Sequence, residues 1–276
     1  MRGTMCSVAI VYDTTPMRLK LYSVVGLALA LSSPQHSASS FVGTWKIDEA
    51  KSHLSGTTDS VAAAGPHTWK FQSGTFSWTL TADGSNQPTP FGGETAMKIV
   101  SPSTWQFTNT NKGQTAGTET WVLSPDAQSM TRTYSTRSEN GEPLTGSAIM
   151  KRTSGTSGFE GVWESTEVKM TFDEIVIKPD GDDGLSLSVP ADGTHYSLKF
   201  DGKEYPEEGL RLPDGMTVSA QITGARTVVA TTRLNHKVFD TEEWEISADG
   251  STFTYKQHNA GTTTPAVIIL HRVSNP

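Results

Sequence analysis

The chain of 276 residues carries 22 Lys and Arg against 29 Asp and Glu, a formal net charge of −7. That balance argues against nucleic acid as a partner, because phosphate binding needs a basic face. With 38 Thr, 30 Ser, 25 Gly and 14 Pro, the composition favours an all-β protein, since Thr suits a half-exposed pleated surface.

Residues 1–39 read as an N-terminal extension and signal peptide. Arg18 and Lys20 precede an apolar run from Leu21 to Leu31, broken only by Tyr22, Ser23 and Gly26. Ser33-Pro34 stops the run, and Ser37-Ala38-Ser39 offers small residues for cleavage. The run is shorter than the ~20 apolar residues of a bilayer span. The expectation is export to the periplasm or the cell exterior with no integral membrane segment after cleavage. Met17 then serves as the start, and residues 1–16 lie upstream of the signal. Cys6, the only cysteine, precedes the signal, so the exported chain would have no disulfide, no thiol chemistry and no lipid-bearing cysteine.

The remainder is a duplication. Phe41-Val42-Gly43-Thr44-Trp45 recurs as Phe159-Glu160-Gly161-Val162-Trp163, and Trp121 falls on Trp244. Phe76–Leu80 with Ala82-Asp83-Gly84 matches Leu185–Val189 with Ala191-Asp192-Gly193. Each copy closes on an apolar segment ending in Arg, at Arg152 and at Arg272. The expected organisation is one domain over 41–152, a flexible linker over 153–158 and a second domain over 159–273.

Along each copy, apolar residues alternate with polar ones. Phe76, Trp78 and Leu80 share a face, as do Trp105 with Phe107, Trp121 with Leu123, Leu185 with Leu187 and Val189, and Phe253 with Tyr255. A period of two with one apolar face predicts antiparallel sheet. Asp-Gly pairs at 83–84, 192–193, 201–202 and 249–250 predict tight turns. The fold class is therefore all-β, as two up-and-down barrels or alternatively two β-sandwiches. Residues 55–66 are expected to form a long mobile loop present only in the first copy.

The Gly-x-Trp of the first strand and the Arg ending the last strand resemble the lipocalin (calycin) signature. The string Phe41–Ser52 also resembles secreted bacterial lipocalin-like proteins of unknown function. The resemblance implies two barrels, each closed by an Arg lying across a Trp: Trp45 with Arg152, and Trp163 with Arg272. It also implies a small apolar or amphipathic ligand.

Searches for a nucleophile elbow, a zinc-binding His-Glu-x-x-His, a Walker loop or a dinucleotide fingerprint find none. The histidines are scattered, so no catalytic, cofactor or metal residues are assigned. Asp180–Gly184 fails the EF-hand pattern at its twelfth position, Ala191, and reads as a solvated hairpin tip. Glu242-Glu243 and Glu245 flank Trp244 and could do acid–base work only if one were desolvated. Candidate pocket residues are Trp78, Trp105, Tyr196 and Phe200. The leading expectation is a non-enzymatic binder of a small hydrophobic ligand. Its rivals are an envelope module recognising glycans or proteins through outward-facing aromatics, and a barrel enzyme of isomerase or hydrolase type. Oligomeric state is not legible in the sequence.

Overall fold

The structure, a computed structural model, describes residues 38–274 apart from 139, 156, 171, 192, 210, 211 and 260–263. The expected signal segment lies outside the described residues except for Ala38 and Ser39, and Cys6 lies outside them as well. After a 3-10 turn (Ser39–Phe41) the first copy forms β1 (Gly43–Ile47), β2 (Thr58–Gly65), β3 (Thr68–Ser73), β4 (Phe76–Thr81), β5 (Asn86–Pro88), β6 (Glu94–Ser101), β7 (Thr104–Asn111), β8 (Gln114–Leu123), β9 (Ser129–Arg137) and β10 (Pro143–Ser154). The second copy forms β11 (Gly161–Lys169), β12 (Glu174–Asp180), β13 (Gly184–Val189), β14 (Thr194–Lys199), β15 (Tyr205–Glu208), β16 (Met216–Gly224), β17 (Thr227–Leu234), β18 (Lys237–Ile246), β19 (Thr252–Asn259) and β20 (Ala266–Ser274). Among the described residues no helix is long and apolar enough to cross a membrane.

The alternation in the sequence becomes the two faces of these strands. Along β13, Leu185, Leu187 and Val189 are buried while Ser186 and Ser188 are not. Along β10, Ala148, Met150 and Arg152 turn inward and Ile149 and Lys151 outward. All strand pairings given by the register are antiparallel, which matches one packed and one wet face. The expected loop at 55–66 is instead β2, paired with both β3 and β11. Its run of small residues hides a strand whose buried member is Val61, and its backbone groups are satisfied by two neighbours.

Two sheets of ten strands result. One closes into a barrel in the order β1-β12-β13-β14-β15-β16-β17-β18-β19-β20. The other runs β4-β3-β2-β11-β10-β9-β8-β7-β6-β5 and curls almost to closure. Its seam between β4 and β5 is bridged by a side chain: Gln87 Oε1 accepts from Thr81 N (2.8 Å), and Gln87 Nε2 donates to Thr81 O (2.7 Å). For brevity the nearly closed sheet is the first barrel and the closed one the second.

Each barrel takes its opening strand from the other copy. β1 pairs with β12 and β20, so it belongs to the second barrel. β11 pairs with β10 and β2, so it belongs to the first. The expected linker at 153–158 therefore falls on the end of β10 and the short connection to β11, within the first barrel. The chain passes from one barrel to the other between β1 and β2 and between β11 and β12. The first crossing runs beside β20, where His53 and Val267 exchange backbone hydrogen bonds of 2.6 and 2.7 Å and Asp48 Oδ2 meets His271 Nε2 at 2.8 Å. It then joins β11 through Gly56 N to Ser165 O (2.8 Å).

The exchange corrects the expected pairing of Trp and Arg. Arg272 lies over Trp45, and Arg152 over Trp163, with Cζ 4.1 Å from the ring centroid in each case. The two sites share one design. Each Trp Nε1 donates to the carbonyl four residues before it, at 2.7 Å (Phe41) and 2.9 Å (Phe159). Each Arg fans onto three backbone carbonyls: Gly250, Ser40 and Val42 for Arg272, and Ala127, Gly158 and Glu160 for Arg152. The glycine of Gly-x-Trp is required here. Gly161 has φ +141°, and a Cβ on it would fall 2.2 Å from Ser154 O and 2.8 Å from Arg152 Nη1.

Replacing either Arg strips three carbonyls of a charged donor and uncovers an indole, so Arg152→Ala and Arg272→Ala should each cost about 3 kcal/mol. Urea unfolding checks this, and losses below about 1 kcal/mol would contradict the fan of bonds. Double-mutant cycles should show coupling for Arg272 with Trp45 and for Arg152 with Trp163, and additivity for the crossed pairs.

Topology also realigns the copies. The Asp83-Gly84 turn after β4 corresponds to Asp201-Gly202 after β14, and not to Asp192-Gly193. In both, the Asp Oδ1 accepts from the backbone N two residues on, at Ser85 (2.8 Å) and Lys203 (3.0 Å). In both, the glycine N reaches a carbonyl of the next long strand, Met97 (3.0 Å) and Ala220 (3.1 Å). Trp78 is thus the counterpart of Tyr196.

Candidate functional site: the cavity of the first barrel

The first barrel is plugged at one end and hollow at the other. At the plugged end, Trp105 stacks on Phe159 with centroids 4.0 Å apart and leans on Trp69 at 4.8 Å. Trp105 is therefore core and not pocket, because β11 brings Phe159 directly onto it. Beyond this plug a cavity of about 350 Å³ opens toward the seam. Its apolar wall includes Phe71, Trp78, Leu80, Phe91, Phe107 and Trp121. Its polar wall includes Thr95, Asn109, Glu119 and Tyr134.

Strand periodicity puts Glu119 and Trp121 on one inward face of β8. The Trp121 indole N–H donates to Glu119. The Arg132 guanidinium lies over the Trp121 ring, with Cζ 3.9 Å from the ring centroid, and forms a buried salt bridge with Asp59. Thr95 Oγ1 donates to Asn109 Oδ1 (2.8 Å), which leaves the Asn109 amide as a donor on the cavity wall. Burial pushes the Glu119 carboxyl above the usual carboxylate range, while Arg132 pulls it back. Burial also raises Tyr134.

The second barrel holds a related but filled arrangement. By register, Glu242 and Trp244 stand where Glu119 and Trp121 do, Tyr255 replaces Arg132, Asp240 replaces Gly117 and Thr232 replaces Asn109. Trp244 Nε1 donates to Glu242 Oε2 (2.8 Å), Thr232 Oγ1 donates to Glu242 Oε1 (3.3 Å), and Gln257 Nε2 donates to Asp240 Oδ2 (2.7 Å). Asp240 and Glu242 are 3% and 6% exposed. Burial first, and Asp240 second, push Glu242 up to about 8. Of the three glutamates flanking Trp244, Glu242 is the desolvated one. Its partner is Asp240, since Glu243 and Glu245 face outward.

Of the four pocket residues expected from sequence, only Trp78 lines this cavity. Tyr196 and Phe200 pack against the core of the second barrel. Glu119, Asn109 and Tyr134 were missed. The Glu-x-Trp spacing, repeated at 119–121 and 242–244, was the available signal, because a period of two puts each Glu beside its Trp.

The second barrel also walls the mouth. Asn111 Nδ2 donates to Leu212 O (2.8 Å), Lys112 bridges Asp214 (2.8 Å), and Phe239 packs on Phe76 at 5.5 Å. Pro213 lines the cavity and sits so near Gly92 (φ +82°) that a Cβ there would come within 2.3 Å of it. A cleft of about 1070 Å³ between the barrels adjoins this mouth.

Four of the scattered histidines meet carboxylates on neighbouring segments: His195 with Glu208, His236 with Glu204, His258 with Glu243 and His271 with Asp48. Among the described residues no group of three or more His, Cys, Asp or Glu could hold a metal ion. Asp183, in the acidic turn between β12 and β13, is paired with Lys199 at 2.9 Å. All seven tryptophans are buried or packed against a core.

Compared with known proteins, the chain matches no protein-family model and no curated protein sequence.

Proposed function

We propose that this is an exported, non-enzymatic, lipocalin-like protein that binds one small amphipathic molecule in the cavity of its first barrel. The observation that carries the reading is the cavity, whose largely aromatic lining is interrupted by a few hydrogen-bonding side chains, as small-molecule sites are. The repeated Arg-over-Trp clamp supports the lipocalin-like frame. The basic–apolar–small order of residues 17–39 supports export. The second barrel serves as scaffold and as one wall of the entrance.

The test is titration of the full chain with the neutral apolar dye N-phenyl-1-naphthylamine and with neutral phenyl alcohols, read by tryptophan fluorescence, because Trp78 and Trp121 line the cavity. Saturable binding at one site is expected, and Ala116→Trp, which fills the wall, should weaken it at least tenfold. Binding that is absent, or unaffected by Ala116→Trp, would refute the proposal.

A further inference from the structure

We infer that the ligand of this cavity is a small organic cation, an amine carried on an aromatic or aliphatic body, with Glu119 as its counter-ion. The inference deepens the proposed binding function and rests on it. Three observations carry it.

The first is the charge of the lining. The cavity wall holds two carboxylates, Glu94 at the mouth and Glu119 inside, and no Lys, Arg or His among its described residues. The second is the charge count behind the wall. Arg132 faces two carboxylates, Asp59 and Glu119, and its direct salt bridge goes to Asp59. It also lies flat on Trp121 and does not reach the lining. An ionised Glu119 is therefore left with one cation shared between two acids, and a positively charged ligand head supplies the missing charge. The third is the aromatic wall. Trp78, Phe91, Phe107 and Trp121 line the same space, and aromatic rings attract a desolvated ammonium.

The second barrel shows what the frame does without a ligand role. There the position of Gly117 holds Asp240, whose carboxyl joins Glu242 in a sealed polar layer. In the first barrel Gly117 leaves that space to the cavity. Arg132, absent from the second barrel, draws Glu119 back toward its ionised form, whereas Glu242 beside Asp240 keeps its proton near neutrality.

The test compares 2-phenylethylamine, 2-phenylethanol and 3-phenylpropanoate binding to the full chain at pH 7.5. The amine is expected to bind at least tenfold more tightly than the alcohol, and the carboxylate least. Glu119→Gln should bring amine and alcohol within about threefold of each other while the alcohol still binds, which shows that the cavity persists. Amine affinity should rise with pH as Glu119 ionises. The groups facing it are Arg132 and Tyr134 on β9, Asp59 on β2 and the apolar Phe107 on β7. An alcohol or carboxylate that binds as tightly as the amine would overturn the cation assignment and leave the cavity reading intact. An amine preference unchanged in Glu119→Gln would overturn Glu119 as the counter-ion. Failure of all three probes to bind would overturn both readings.

Discussion

A protease site inserted between residues 155 and 157, once cut, should leave the two halves bound to each other. They should co-elute on size exclusion and separate only in denaturant. Each half gives its first strand to the other's barrel: β1 carries Phe41 and Trp45 into the second, and β11 carries Phe159 and Trp163 into the first. All four side chains are at most 2% exposed. Pulling the halves apart would expose them and open both barrels at two strand edges each. A buried indole alone accounts for roughly 4–6 kcal/mol of lost apolar burial. Phe239→Ala, which weakens the contact between the barrel surfaces, should not release the halves. Two separate monomeric peaks after cleavage would show that each copy closes on its own strand.

Glu242→Gln should make the protein markedly more stable at pH 9 and remove a slope in stability between pH 5 and pH 8. The carboxyl is raised from the ordinary 4.5 to about 8 by burial and by Asp240. Between those two values the native state keeps a proton that the unfolded chain has lost. Wild-type stability therefore falls as pH rises through this window and stays reduced above 8. Gln reproduces the shape of the protonated carboxyl and does not titrate, so the variant avoids this loss and the gap in its favour should be wider at pH 9 than at pH 5. Urea unfolding of both proteins at pH 5 and pH 9 checks it. A stability gap of the same size at both pH values would contradict a buried, proton-holding Glu242.

Much of the site was within reach of the sequence. Trp78 belongs to an alternating segment, and its inward face follows from the pattern alone. Glu119 lies two residues from Trp121 and shares that face by the same logic. Its significance depends on neighbours that are remote in sequence: Arg132 is one strand on, and Asp59 arrives on β2, a stretch of small residues without a strand signal. Trp105 and Trp78 look alike as sequence. They differ because Phe159, from the other copy, stacks on the first, whereas the second, packed on Phe71 and Phe91, also borders the cavity.

The sequence by itself determined the all-β class, the duplication, the inward faces of most strands, and the Gly-x-Trp and Arg residues that clamp each barrel. These are local properties, written in alternation, turn residues and repeated strings. Only the tertiary structure decided which Arg covers which Trp. The physical reason is the duplication itself. Phe41–Trp45 and Phe159–Trp163 carry the same Phe-x-Gly-x-Trp string, so local preference does not distinguish the two closures. The exchanged closure is the one in which the crossing segment meets second-barrel groups, Asp48 with His271 and His53 with Val267, and the short turn after Ser154 returns β11 alongside β10. The hollow in one barrel and the sealed acid pair in the other were decided in the same way, by side chains that meet across strands far apart in the chain.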